Sequence, residues 1–309
     1  MTDGVPTLSL KAFTAGDAAA RAAFSADLMR GLQRYGFIIL ADHNVDEALL
    51  DEAYRLSAAF FAEDEAFKRR YAAGLRGYTP FGVEHAKGRS VADLKEFWQL
   101  GRDAYDPEAP DGDFAPNVWP ERPAGFEPVF KRLFAALDET GRLLLRALAP
   151  QLGLAEGYFD PLVKGGTSIL RVLHYPPVPD DAPPGAVRSA AHEDINFITI
   201  LVAARGAGLE LLDRDGSWLP VETRPGNLIV DSGDMLARLT NGVIPATTHR
   251  VVNPAGPNVS RYSMPFFMHP TSATPLDVLP GCIGDGAKFA PITAGAFLAE
   301  RLREIGLKK

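Results

Sequence analysis

Two residues of metal-binding type stand close together in the segment AHEDINFITIL, residues 191–201. His192 and Asp194 are two positions apart, and such side chains point to the same face of an extended chain. His249 opens a later β-like stretch, THRVV. Two imidazoles and one carboxylate on one face of an octahedral ion leave the other face open, the arrangement of non-haem Fe(II) oxygen chemistry. The H-x-D motif is weak by itself, but the three residues together predict a metal site.

A second pair of residues that could take part in the chemistry lies in the segment SRYSMPFF. Arg261 and Ser263 are also two residues apart, so a strand would place both on one face. A guanidinium beside a hydroxyl suits a carboxylate, which it holds by charge-assisted hydrogen bonds. The apolar residues that follow indicate that Arg261 points inward, where a charge without an anionic partner is costly. We therefore expect this pair to bind an acid, although a surface arginine would be the simpler interpretation of the pair alone.

The elements that must position these residues differ between the two parts of the chain. Helical spacing of apolar residues covers 17–35, 45–61 and 126–154, with the strand-like run GFIIL between the first two. Residues 168–268 contain short apolar runs separated by Pro, Gly, Asn and Asp, a pattern typical of a sandwich or jelly roll. The Asp-Gly pair in DRDGSW predicts a hairpin, and the end of the chain predicts an amphipathic helix.

Composition limits the classes of protein to consider. The 309 residues suffice for one large domain or two ordinary ones. A net charge of −7 argues against a nucleic-acid-binding surface. The single cysteine excludes an internal disulfide and a multi-cysteine metal site. Since neither a membrane-spanning stretch nor a signal-peptide pattern is found, we expect a cytoplasmic monomer that binds neither nucleic acid nor a membrane.

The chain resembles the Fe(II)- and 2-oxoglutarate-dependent oxygenases of the isopenicillin N synthase-like group. HED, THRV and RYS occur in the family's order, and GLELLDRDGSWLPV, GNLIVDSGDML, YGFIIL and DLKEFWQLGR are similar to its other segments. The resemblance covers most of the chain. It implies a mixed α/β (α+β) fold with a double-stranded β-helix (jelly-roll) core. Residues 1–160 would form a helix-rich N-terminal region, 161–270 the oxygenase core, and 271–309 a C-terminal extension with a helix.

The resemblance also implies an enzyme, a non-haem Fe(II) 2-oxoglutarate-dependent dioxygenase. It would use O₂ to oxidise a small molecule, by hydroxylation as the default, and release succinate and CO₂. The implied Fe(II) ligands are His192, Asp194 and His249. The implied residues around the distal carboxylate of 2-oxoglutarate are Arg261, Ser263 and Tyr175.

Some features of the pattern leave alternatives open. Leu173 stands where many plant relatives have an Asn, and Asp231 also stands where an Asn is frequent. Isopenicillin N synthase carries the Arg-x-Ser pair for its substrate's own carboxylate and needs no 2-oxoglutarate. An oxidase of that type is therefore one alternative, and a non-catalytic jelly-roll protein that binds a metal or an acid is another.

Substrate-binding residues are predicted from strand parity and from aromatic character. Arg171 has the same parity as the tyrosine of LHYPP, so it could face the cavity and bind a carboxylate of the substrate. A surface arginine paired with an acid explains Arg171 equally well. Tyr78 and Phe267 are candidate cavity aromatics, although core packing is the more common role of such residues. We expect loops within 74–100 and 171–190, together with the C-terminal region, to set specificity.

Overall fold

The computed structural model describes residues 4–85, 91–103 and 116–304, and two β-sheets form the centre of this part of the chain. The strands are β1 (Thr7–Ser9), β2 (Phe37–Ala41), β3 (Ala72–Ala73), β4 (Arg76–Thr79), β5 (Glu96–Gly101), β6 (Ile169–Tyr175), β7 (Ser189–His192), β8 (Ile198–Arg205), β9 (Leu209–Leu212), β10 (Trp218–Pro220), β11 (Leu228–Ser232), β12 (His249–Val251) and β13 (Arg261–Met268). The helices are α1 (Leu10–Thr14), α2 (Ala18–Tyr35), α3 (Glu47–Phe61), α4 (Glu65–Arg69), α5 (Phe126–Leu148), α6 (Asp160–Val163), α7 (Asp234–Leu239) and α8 (Ala294–Glu304). None of the helices within the described ranges is long and apolar enough to cross a membrane.

The strand order confirms the predicted fold class. The larger sheet runs β1-β2-β11-β8-β13-β6-β5-β4-β3, and the smaller sheet runs β10-β9-β12-β7. The four central strands β11-β8-β13-β6 and the smaller sheet together form the double-stranded β-helix. N-terminal strands extend the larger sheet at both edges, with β1 parallel to β2 and β2 antiparallel to β11. The predicted hairpin is also present, because β9 and β10 pair antiparallel across the Asp-Gly turn.

The first long helix begins and ends where its sequence indicates. The Asp17 side chain caps α2 by accepting a 2.8 Å hydrogen bond from the Ala20 amide. The helix stops because Gly36 takes the left-handed conformation, with φ of +65°. A side chain is excluded there, since a Cβ atom would lie 2.1 Å from the Thr247 hydroxyl oxygen. The turn at Gly36 therefore leads directly into β2 and lets it pair with β11.

Strand β13 separates the cavity from the helix-side core. Arg261 and Ser263 face the cavity between the sheets. Met264, Phe266 and Met268 have the opposite parity and are fully buried in the core under the helices. This alternation follows from the period of two in a β-strand, so the parity predicted from RYSMPFF is confirmed for this strand.

Aromatic packing holds the N-terminal helices against the larger sheet. Phe60 of α3 lies 5.0 Å from Trp98 of β5 and 5.5 Å from Phe126 of α5, measured between ring centroids. Phe126 continues the cluster to Phe130 at 4.4 Å. All four side chains are fully buried. The cluster thus connects both helices to a strand of the larger sheet.

Phe60→Ala should lower the free energy of unfolding by about 3–5 kcal/mol, because it removes a large buried ring and leaves a cavity. Phe81→Ala is the matched control, since Phe81 is 36% exposed and its loss should cost less than about 1 kcal/mol. Urea unfolding followed by circular dichroism measures both values. Equal losses in the two variants would contradict the packing described for α3.

Candidate metal centre and acid-binding pocket

His192, Asp194 and His249 come together at one end of the smaller sheet. Each offers one ligand atom, and these atoms lie within 4.8 Å of one another. His192 ends β7 and His249 begins β12, and the two residues are direct partners in the antiparallel pairing. Asp194 Oδ1 lies 3.8 Å from Nε2 of His192 and 3.9 Å from Nε2 of His249. Such a donor set fits one Fe(II) with positions left for other ligands.

Backbone carbonyls orient both imidazole rings. His192 Nδ1 lies 2.8 Å from the Ala190 carbonyl oxygen, and His249 Nδ1 lies 3.1 Å from that of Thr247. When Nδ1 donates to a carbonyl, the lone pair of Nε2 is free for a metal. Burial and the neighbouring His249 lower the pKa of His192. The unprotonated form that a metal requires is therefore favoured.

The Asp194 carboxylate is held in its charged form by its surroundings. Burial by itself raises the pKa of Asp194, but the two imidazoles and a hydrogen bond from the Thr199 hydroxyl to Oδ2 lower it overall. Asp231 of β11 lies beside it, and burial together with the Asp194 charge raises the pKa of Asp231 well above its usual range. A protonated Asp231 can donate to Asp194 as an asparagine amide would.

Arg261 has the environment of an anion-binding residue. Its side chain is 2% exposed, and Nε and Nη1 have no hydrogen-bond partner in the protein. The guanidinium carbon lies 5.1 Å from the ring centroid of Tyr175. Within residues 4–85, 91–103 and 116–304 no carboxylate forms an ion pair with it, and burial lowers the pKa of Arg261. An unpaired buried cation is costly, so the group fits a site that takes up an acid.

The three-residue metal cluster and Arg261 share one cavity between the two sheets. Besides those four residues the lining comprises Phe37, Lys95, Arg171, Leu173, Tyr175, Ser189, Thr199, Leu201, Leu209, Asp231, Val251, Ser263, Pro265 and Phe267. Both sheets contribute, so the cavity is the interior of the double-stranded β-helix.

Arg171 lines the cavity as its parity predicts, but its charge is already balanced. Its Nε donates to Gln99 Oε1 at 2.7 Å, and its Nη1 lies 3.0 Å from Glu84 Oε1. Glu84 also pairs with Lys95 at 3.0 Å, and Lys95 pairs with Asp93 at 2.9 Å. Burial alone would raise the pKa of Glu84, but the two cations outweigh it and lower the value to about 2. Arg171 and Lys95 form a wall of the cavity that offers N–H donors, and Glu84 and Asp93 balance its positive charge.

The structure separates the two aromatic candidates. Phe267 lines the cavity, 5.7 Å from the Arg171 guanidinium. Tyr78 does not belong there, which corrects the expectation from sequence. It is 1% exposed within the helix-side core, its ring is 6.0 Å from Phe60, and its hydroxyl hydrogen-bonds Glu96. An aromatic residue in a short strand gives no indication of which face of the sheet it occupies.

The sequence analysis missed three charged residues at this wall: Lys95, which lines the cavity, and its ion-pair partners Glu84 and Asp93. They fall within the loop region 74–100 that was expected to influence specificity. They lie before β5 in irregular chain, where no strand or helix period indicates the direction of a side chain. The adjacent acid and base in DLKEF were the one available signal.

Comparison with known proteins gives the class of protein. Residues 166–270 match the 2OG-Fe(II) oxygenase superfamily, and residues 5–122 match the N-terminal family described as non-haem dioxygenase in morphine synthesis. A 2-oxoglutarate-Fe(II) type oxidoreductase of Aspergillus fumigatus is 31% identical over 320 residues, which cover 96% of this chain and 92% of that protein. The chain therefore belongs to the 2OG-Fe(II) oxygenase superfamily. It is a non-haem dioxygenase that uses Fe(II), 2-oxoglutarate and O₂.

Solved structures extend the likeness over almost the whole chain. A 2OG-Fe(II) oxygenase family protein from Caulobacter crescentus is 43% identical, with a TM-score of 0.88 and coverage of 98% of this chain and 100% of that one. Full-length Neurospora crassa T7H, in complex with alpha-KG and thymine, is 28% identical, with a TM-score of 0.88 and coverage of 98% of both chains. The fold around the cavity is thus shared with a protein that was crystallised in complex with alpha-KG.

Asp194→Ala should lower the affinity for Mn²⁺, used as an air-stable probe, by at least about 100-fold, because even changes to partners of metal ligands cost 10–100-fold. Glu193→Gln is the control, since Glu193 is exposed and its carboxylate accepts from the Thr248 hydroxyl. Free Mn²⁺ measured by electron paramagnetic resonance reports the affinity. Equal affinities in the two variants would mean that the ion binds elsewhere.

Proposed function

We propose that this chain hydroxylates a small molecule at the cavity between the sheets. In this proposal His192, Asp194 and His249 bind Fe(II), and Arg261 and Ser263 anchor the distal carboxylate of 2-oxoglutarate. The overall reaction converts substrate, 2-oxoglutarate and O₂ into hydroxylated substrate, succinate and CO₂. The observation that carries the proposal is the buried, unpaired Arg261 in the same cavity as the metal cluster.

The residues of the chain bind, orient and shield the reactants. When bound, the metal and 2-oxoglutarate supply the O₂ activation and the electrons for it. Arg261 meets the negative charge of the cosubstrate at the far end of the cavity, and Tyr175 lies against the guanidinium. Leu173 and Leu201 give the cavity apolar walls, which limit the access of water. Since Leu173 has no polar group, the carboxylate relies on Arg261 and its neighbours.

The proposed substrate site lies beside Phe267, Arg171 and Lys95. Phe267 offers an aromatic face, and the two cations offer N–H donors whose charge Glu84 and Asp93 balance. Such a wall favours a substrate with hydrogen-bond acceptors and gives a free carboxylate no unbalanced charge to pair with. The T7H complex with alpha-KG and thymine supports a small molecule beside the cosubstrate.

The proposal extends to the organisation and location of the protein. Residues 161–270 would form the oxygenase core, 1–160 the N-terminal region, and 271–309 the C-terminal extension, of which 305–309 lie outside the described residues. The chain would act as a cytoplasmic monomer. Its single cysteine is consistent with a reducing compartment.

Protein loaded with Fe(II) in the absence of oxygen should form succinate from 2-oxoglutarate once O₂ is admitted, slowly without substrate. His192→Ala should abolish this reaction because it removes a proposed metal ligand. His43→Gln is the histidine control, since His43 contacts the Gly226 carbonyl rather than the metal cluster. Chromatography of the products measures succinate. Iron binding without any decarboxylation would contradict the proposal, and substrate-dependent O₂ uptake without 2-oxoglutarate would favour the oxidase alternative.

Arg261→Ala should weaken 2-oxoglutarate binding by about 1.5–3 kcal/mol, the contribution of hydrogen bonds to a charged group. Arg214→Ala is the arginine control, because Arg214 is exposed and donates to the Gln33 carbonyl. Titration calorimetry with Mn²⁺-loaded protein gives both affinities. An unchanged affinity in Arg261→Ala would place the carboxylate elsewhere.

A further inference from the structure

Arg188 is a second buried cation without an acidic partner. It directly precedes β7, and its residue exposure is 3%. Its Nη2 donates to the Val259 carbonyl, while its Nε has no hydrogen-bond partner. No carboxylate in the described part of the chain forms an ion pair with it. Buried charges are usually paired, but within the described residues neither Arg188 nor Arg261 has an acidic partner.

The two unpaired guanidiniums share one environment. Val259, which accepts the hydrogen bond from Arg188, stands two residues before Arg261 at the entry to β13. Burial lowers the pKa of Arg188, and the Arg261 charge lowers it further. Tyr175 lies against the Arg261 guanidinium, with 5.1 Å between the guanidinium carbon and the ring centroid. Two like charges in one buried region repel each other, and an anion would relieve that repulsion.

Two buried lysines of this protein have acids beside them. Lys68 pairs with Glu96 at 2.7 Å, and Lys95 pairs with Asp93 at 2.9 Å. The contrast identifies the end of the cavity at Arg261 as a region of uncompensated positive charge.

We propose that Arg188 is a positioning residue of the cosubstrate site, a second cation that strengthens binding of the distal carboxylate at Arg261. It does not line the cavity, so it acts by its charge and not by direct contact. The inference rests on the proposed function, because it requires that Arg261 holds that carboxylate. It predicts that the contribution of Arg188 depends on the presence of a distal carboxylate in the ligand.

The test compares two ligands that differ in that carboxylate. 2-Oxoglutarate and 2-oxobutyrate share the 2-oxoacid group, but only 2-oxoglutarate has the second acid. In Mn²⁺-loaded protein, Arg188→Gln should lower the affinity for 2-oxoglutarate about tenfold, the size expected for the loss of one partly screened charge. Binding of 2-oxobutyrate should change less than about twofold, since that ligand has no distal charge. Arg188→Lys keeps the charge and should retain most of the preference for 2-oxoglutarate.

Stability gives a second readout. Because the two cations repel in the ligand-free protein, Arg188→Gln should leave the thermal midpoint of that form unchanged or higher, while the rise in midpoint on adding 2-oxoglutarate becomes smaller. If Arg188 had only a packing role, Arg188→Gln would lower the thermal midpoint and reduce the affinity for both ligands equally. That result would overturn the inference.

The variants also separate this inference from the proposed function. If Arg261→Ala loses the preference for 2-oxoglutarate and Arg188→Gln keeps it, the inference fails and the proposed function stands. If the unaltered protein does not distinguish the two ligands, both fail. Should Arg188→Gln not fold, Arg188→Lys decides: retained preference supports the charge-based role, and a loss as large as that in Arg261→Ala overturns it.

Discussion

The antiparallel pairing of β7 with β12 is the constraint on which the site depends. It sets His192 directly opposite His249, so the separation of the two imidazoles is fixed by the ladder and not by flexible side chains. Each ring is then oriented by a carbonyl two residues before it in its own segment. Asp194 lies just past the end of β7, where Thr199 and Asp231 fix its carboxylate. A metal that meets this arrangement needs little rearrangement of the protein.

The cavity has two regions that differ in their net charge. At one end, Arg261 with Arg188 behind it has positive charge that no acid of the described chain balances. Along the wall, Glu84 and Asp93 balance the charges of Arg171 and Lys95. The unbalanced region suits the ligand that always carries two carboxylates, and the balanced wall suits molecules that differ mainly in shape and hydrogen-bonding groups.

Much of the site could be predicted from sequence because it lies on strands. The period of two placed Arg171, Tyr175, Arg261 and Ser263 on the cavity side, and Gly36 marked the end of a helix. Glu84 and Lys95 were beyond such reasoning, because irregular loops have no period and their ion pairs form with residues distant in sequence. The prediction that Tyr78 lines the cavity was wrong for a related reason. Only the assembled sheet shows which of its faces packs against the helices and which faces the cavity. The unpaired state of Arg261 likewise appears only when all its neighbours are known.

One part of the cavity wall comes from a different stretch of the polypeptide than the reaction centre, whereas Arg171 and Phe267 of the wall lie on the core strands β6 and β13. Glu84, Asp93, Lys95 and Gln99 precede residue 104, while the metal cluster and Arg261 follow residue 190. Substitutions in the first stretch can therefore change substrate preference during evolution, while the metal ligands and Arg261 in the second stretch stay the same. A chimera that exchanges N-terminal segments between homologues would have to preserve the Glu84–Arg171 ion pair, because that pair joins the two stretches.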